Sequence, residues 1–136
     1  MKFADTGWWV AWALPSDAHH ADALAMLRQL GRGEQVLTTN HVVGETWTFL
    51  RRRAGHAYGI AYLDRVEMLQ ERHGLVVTHV TEEQERRAMR WLRTHDERSY
   101  SFVDATSFEV MHQRRLREAL AFDGDFAAAG FVHVLP

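Results

Sequence analysis

The chain has no cysteine, one lysine and two prolines among its 136 residues. The missing cysteines exclude disulfides and thiolate metal sites, which suits a reducing cytoplasm. No apolar run approaches the roughly 20 residues that span a bilayer. The N-terminus, with Lys2 and an early Asp5, has no small-residue cleavage site of a secretory signal. A cytoplasmic location with no membrane segment is therefore expected. There is no Pro- or Gly-rich linker, no internal repeat and no low-complexity tract, so a single domain over residues 1–136 is expected.

What is present fits an ordinary globular domain, with 46% apolar and 25% charged residues. Of the 16 Lys and Arg residues, only Lys2 is a lysine. Arginine grips phosphate in a planar, bidentate way and suits RNA or DNA, although a GC-rich genome gives the same bias. The net charge of −2 looks wrong for a nucleic-acid binder. It hides a small positive balance once a few clustered acids are set aside.

The pattern alternates. Lys2–Ala4 reads as a strand, and a helix follows from Asp5-Thr6 through Trp12 to Pro15. Ser16-Asp17 is expected to cap a second helix carrying Ala21, Leu24, Leu27 and Leu30, with Gly31 as its stop. Gln35–Thr38 suits a buried strand. Asn40 is the expected N-cap of a helix from His41 to about Arg53, broken at Gly55. A helix from about His56 to Arg72 ends at Gly74, and Leu75–Val80 is the clearest strand. Thr81 and Gln84 have capping-box spacing. Ser101 to about Arg115 reads as helix, and Ala119–Phe122 and Phe131–Leu135 read as strands. Such alternation predicts an α/β fold with a parallel sheet and helices on both faces.

Four carboxylates follow short apolar runs: Asp5, Glu45, Asp104 and Asp123. In a parallel α/β sheet such positions converge on one edge, where open α/β folds place their ligands. Like charges gathered there need a counter-charge. With no cysteine and no paired histidines nearby, a hard, oxygen-loving divalent cation fits. Each acid also has an ordinary role. Asp5 can cap a helix, Glu45 can face solvent, Asp104 stands three residues after Ser101 as in a capping box, and Asp123-Gly124 is a turn signal.

Four stretches carry a resemblance: Phe3-Ala4-Asp5-Thr6, Thr39 to Glu45, Tyr100-Ser101-Phe102-Val103-Asp104-Ala105, and Ala121 to Phe126 followed by Ala129-Gly130-Phe131. Together they resemble the PIN-domain ribonucleases, and within them the VapC toxins of bacterial toxin–antitoxin pairs. The resemblance implies a three-layer α/β/α sandwich with a central parallel sheet. It implies an endoribonuclease dependent on Mg2+, for which Mn2+ can substitute, an RNA substrate, a VapB-type antitoxin and a homodimer. The family's acidic set carries over to Asp5, Glu45, Asp104 and Asp123, its small hydroxyl position to Thr6, and the serine of its third motif to Ser101. The fourth acid varies in place within the family, and Asp125 could share the role of Asp123.

On this reading Asp5 and Asp104 hold the principal ion, Asp123 orients a water or a second ion, and Glu45 holds or deprotonates the attacking water. In-line attack leaves a 5′-phosphate and a 3′-hydroxyl. Arg51-Arg52-Arg53 could grip the RNA backbone. The segments Trp8–Trp12 and Trp47–Leu50 suit a core, a dimer interface or an antitoxin groove. Other readings compete. A phospho-acceptor receiver or a haloacid-dehalogenase-type phosphatase needs a late lysine that this chain lacks. A metal-free ribonuclease needs a histidine acid–base pair, and His19-His20 has no acidic partner motif. A PIN-related DNA nuclease and a catalytically silent PIN-like scaffold stay open, the latter opposed by the intact acidic set.

Overall fold

The first strand of the chain lies in the middle of the sheet. In the computed structural model, which describes residues 1–136, β1 (Lys2–Ala4), β2 (Val36–Thr39), β3 (Leu75–Thr78), β4 (Glu118–Leu120) and β5 (Val132–His133) form one sheet. Its order is β3-β2-β1-β4-β5, and every pairing is parallel. The chain winds from β1 outwards to β3, then returns to the far side of β1. The reversal of winding falls between β1 and β4, which pair with Ala4 opposite Leu120.

Seven helices connect the strands: α1 (Thr6–Ala13), α2 (His20–Arg28), α3 (Asn40–Ala54), α4 (His56–Arg72), α5 (Glu82–Arg93), α6 (Phe102–Gln113) and α7 (Asp125–Ala128). Helices α1 to α4 pack on one another, and α5 packs on α6. Right-handed crossovers put these two groups on opposite faces of the sheet. The result is the expected three-layer α/β/α sandwich. No helix is long and apolar enough to cross a membrane.

The strand centres are fully buried at Phe3, Leu37, Ala119 and Leu120. Trp9, Met26, Leu50 and Tyr62 cover one face, and Phe108, Met111 and Phe126 the other. Trp8 and Trp9 are 2% exposed and Trp12 is 8% exposed. In the single chain these tryptophans are therefore largely packed away, and they also line an apolar cavity beside α1. The Trp9 indole N–H reaches Thr38 Oγ1 (3.4 Å), and the Thr38 hydroxyl donates to the Ala4 carbonyl (2.9 Å). The start of α1 is thereby tied to two adjacent strands just where Asp5 leaves β1.

Several boundaries differ from the sequence reading. Helix α3 is capped by Thr39, whose side chain accepts from the Val42 amide. Asn40 instead accepts from the Val80 amide at 2.8 Å, a contact across the sheet. Helix α2 begins at His20, because Asp17 uses its carboxylate to turn the chain at the His19 amide (2.9 Å). β3 stops at Thr78 and β5 has only two residues. The four-residue helix α7 was not expected. Both predicted capping boxes are present, at Thr81/Gln84 and Ser101/Asp104.

Helices α3 and α4 meet closely at Gly59, where an added Cβ would stand 2.8 Å from Trp47 Nε1. Alanine gains about 1 kcal/mol over glycine in a helix. Forcing a packed indole aside costs about 1–3 kcal/mol. Gly59→Ala is expected to lower the urea midpoint, and a raised midpoint would show that Trp47 yields freely.

Candidate active site

The four acids arrive at the winding reversal from separate elements. Asp5 directly follows β1, and its amide donates to the Leu120 carbonyl of β4 (3.1 Å). Asp123 lies three residues beyond Leu120 in the same sheet edge. Asp104 enters from the first turn of α6 and Glu45 from the second turn of α3. Ligands of open α/β sheets gather at this place, beyond the carboxyl ends of strands flanking the reversal.

Burial sets the electrostatics. Asp5 is 4% exposed and Asp104 is 8% exposed, whereas Glu45 and Asp123 are open to solvent. Asp5 occupies the N-cap position of α1, but its side chain makes no capping hydrogen bond. Desolvation drives its pKa from 3.8 to about 8, and the charges of Asp104, Asp123 and Glu45 add to that rise. The Thr6 backbone amide offsets part of it. Asp104 rises to about 6, chiefly by burial and then by the charge of Asp123, against hydrogen bonds from Ser101. Asp5 is thus within electrostatic reach of the other three acids, and Asp104 of Asp123.

Ser101 fixes Asp104 through reciprocal bonds. The Asp104 amide donates to Ser101 Oγ (2.9 Å), and the Ser101 amide donates to Asp104 Oδ2 (2.9 Å). The capping role and the site role are therefore compatible, since the carboxylate keeps its second oxygen. Asp123 likewise accepts from the Asp125 amide through Oδ1 (3.0 Å).

No salt bridge joins a basic side chain to these four acids, although the charge of Arg98 reaches Asp123. Two arginines of this face pair with other carboxylates, Arg98 with Asp125 (2.7 Å) and Arg53 with Asp17 (3.9 Å). The Arg98 bond occupies Asp125 and leaves Asp123 as the unpaired acid of the two. Sequence reasoning missed Arg98, and no local signal marks it. The Thr6 hydroxyl is buried with no partner, and Thr6 and Asp123 line one groove of about 360 Å³. A second cleft of about 550 Å³, containing Glu45 and Arg52, shares Phe49 and Arg53 with the first.

The four acids offer oxygen donors with no salt-bridge partner, and the buried Thr6 hydroxyl beside them is unsatisfied. This set suits a hard divalent cation. No three acids or histidines form a ready-made ligand cage.

The sequence pattern of the PIN domain matches residues 2–132. The chain belongs to the PIN-domain family. Within it the chain is of the VapC type. It is 46% identical over 136 residues to the 23S rRNA-specific endonuclease VapC20 of Mycobacterium tuberculosis, in two strains, covering 100% of this chain and 99% of the relative. The crystal structure of M. tuberculosis VapC20, a sarcin–ricin loop cleaving toxin, superposes on this PIN domain with a TM-score of 0.90, covering 100% of both chains. FitAcB of Neisseria gonorrhoeae shares the fold, with a TM-score of 0.69 at 18% identity over 98% of this chain and 96% of that one.

Proposed function

We propose that this PIN domain is a metal-dependent endoribonuclease and the toxic component of a type II toxin–antitoxin pair. The observation that carries the reading is the convergence of four acids without salt-bridge partners, from separate parts of the chain, at the winding reversal of the sheet. The likeness to VapC20 supports a structured ribosomal RNA target, the sarcin–ricin loop of 23S rRNA being the first to test.

Asp5 and Asp104, the two buried acids, would hold the ion, with Asp123 completing its water shell or holding a second ion. Bound Mg2+ or Mn2+ supplies polarisation of a phosphoryl oxygen and a lowered pKa for water. Glu45, exposed at the groove margin, accepts the proton of the attacking water. Ser101 holds Asp104 in place, and Thr6 has a free hydroxyl to direct at a phosphate oxygen or a water. In-line attack leaves a 5′-phosphate and a 3′-hydroxyl.

Purified protein and end-labelled total RNA, incubated with Mg2+, with Mn2+ and with EDTA, test this reading. Discrete metal-dependent products with 5′-phosphate ends are expected. Cleavage that persists in EDTA overturns the carboxylate mechanism.

Arg52 and Arg53 flank the acids in the two adjoining clefts and are placed to meet backbone phosphates. The Arg52→Ala/Arg53→Ala double variant is expected to bind RNA more weakly and with less salt dependence. On single strands the slope of log K against log salt should flatten by about 0.7 for each phosphate no longer neutralised. An unchanged slope removes these arginines from the RNA path.

The antitoxin would dock away from the acids. Trp8 and Trp12, a turn apart on α1, line an apolar cavity of about 300 Å³ with Leu27, Leu30 and Met68. Helical geometry turns these positions away from Thr6 and Val10, which face the groove. An apolar helix of a VapB-type partner fits such a cavity. A homodimer belongs to the same proposal, with Tyr58 and Ile60 exposed on α4.

A further inference from the structure

The groove beside Asp123 is walled by aromatic rings from three parts of the chain, and the acids alone do not account for them. The His19 and Phe122 rings lie 4.5 Å apart and only 12° from parallel. His19 precedes α2, while Phe122 stands immediately before Asp123. Phe49 of α3 lines the same groove with 43% of its surface exposed. The Arg53 guanidinium lies 5.7 Å from the centre of the Phe49 ring.

We propose that this groove seats one unpaired RNA base against these rings, so that the nucleotide next to the scissile bond is gripped by its face. The inference rests on the ribonuclease reading above and deepens it. Every base has a π-face, and stacking on aromatic side chains is the usual way proteins hold unstacked nucleotides. A base in a duplex has no free face to offer. The seat therefore selects loops and bulges over paired RNA.

The placement also couples binding to cutting. Phe122 and Asp123 are consecutive, and Thr6 and Asp123 line the same groove as the rings. A base held on the Phe122–His19 pair brings its own phosphate to the acids. Arg53, shared by both clefts, meets the next phosphate along the strand. A purely apolar partner would leave this arginine and the acidic rim unmatched, whereas a nucleotide satisfies ring, cation and metal-binding edge together.

The test uses a hairpin carrying the sarcin–ricin loop, with the fluorescent base 2-aminopurine at each loop position in turn. Binding is read by fluorescence quenching on the Asp104→Asn protein, and cutting by product formation on the active protein. His19→Ala and Phe49→Ala are the informative variants, because both side chains are solvent-exposed and their loss spares the core. Unchanged thermal unfolding verifies this. The expected result is quenching at one loop position, abolished in both variants, with cleavage reduced on the order of tenfold or more. Phe49→Tyr, which keeps the ring, should restore it, and pairing the loop with a complementary strand should abolish it.

Position-specific quenching without any cleavage by the parent protein would keep the base seat and discard the nuclease reading. Quenching and cleavage at parental levels in both alanine variants would overturn the inference. So would loss of antitoxin binding in those variants with RNA behaviour unchanged, which would assign the rings to a protein partner.

Discussion

Asp104→Asn is expected to cut RNA cleavage by three or more orders of magnitude while leaving the fold intact. Metal-assisted stabilisation of a phosphoryl transition state is worth several kcal/mol, and each 1.36 kcal/mol is tenfold in rate. Asparagine is nearly isosteric and keeps an oxygen for the Ser101 amide, so the capping box of α6 survives in part. What is lost is one negative charge at the winding reversal. Asp5→Asn should behave alike. If the two acids hold one ion, as proposed, the double variant should be scarcely worse than either single one. Single-turnover cleavage with saturating Mg2+ measures this, with circular dichroism as the control for folding. A folded Asp104→Asn protein with parental activity would refute the acid cluster as the cutting centre. Asp125→Asn, by contrast, should act mainly by releasing Arg98 and loosening the loop that carries Asp123, with a far smaller effect.

The same acids make stability depend on pH and metal in an unusual direction. Asp5 has its pKa raised from 3.8 to about 8 in the fold, so between those values the folded state holds a proton that the unfolded chain has lost. Stability contributed by that proton is complete below pH 4, declines as pH rises, and is gone above about 8. Asp104 adds a smaller decline that ends near pH 6. At about 1.4 kcal/mol per pKa unit, the combined loss is several kcal/mol. Unfolding followed in EDTA should therefore show a melting temperature that falls between pH 5 and 8.5. Asp5→Asn, which cannot ionise, should flatten that slope and melt on the order of ten degrees higher than the parent at pH 8.5. Mg2+ should stabilise the parent more as pH rises, because cation and proton compete for one carboxylate. If Asp5→Asn melts no higher than the parent at pH 8.5 in EDTA, Asp5 does not suffer the burial penalty assigned to it.

Local chemistry was legible and distant contact was not. The Thr81/Gln84 and Ser101/Asp104 boxes could be read because both partners lie within one helical turn. Gly55 could be read as a helix stop because the chain there needs a positive φ, which is +96°. Asn40 misled because it is a good cap by type, yet the Val80 amide, 40 positions away, claims its side chain. Thr39 then caps α3 instead. The acids stood out as carboxylates after apolar runs, and parallel topology explains why they meet. Nothing local separates Asp123 from Asp125. The difference lies in Arg98, whose partner is 27 residues distant. His19 and Phe122 are farther apart still, and only folding makes them a stacked pair.

The position of β1 at the middle of the sheet has a consequence for the cell that makes this protein. β1 is made well before β4, one of its two neighbours in the sheet. Asp5 therefore waits on the ribosome for Asp104 and Asp123, with its strand half unpaired. A growing chain cannot assemble the acid cluster until α6 and β4 have been made. Long-range parallel pairing is also slow to form, which delays the meeting of the acids further. The acid cluster thus forms only when the sheet closes over long range, however early Asp5 is made.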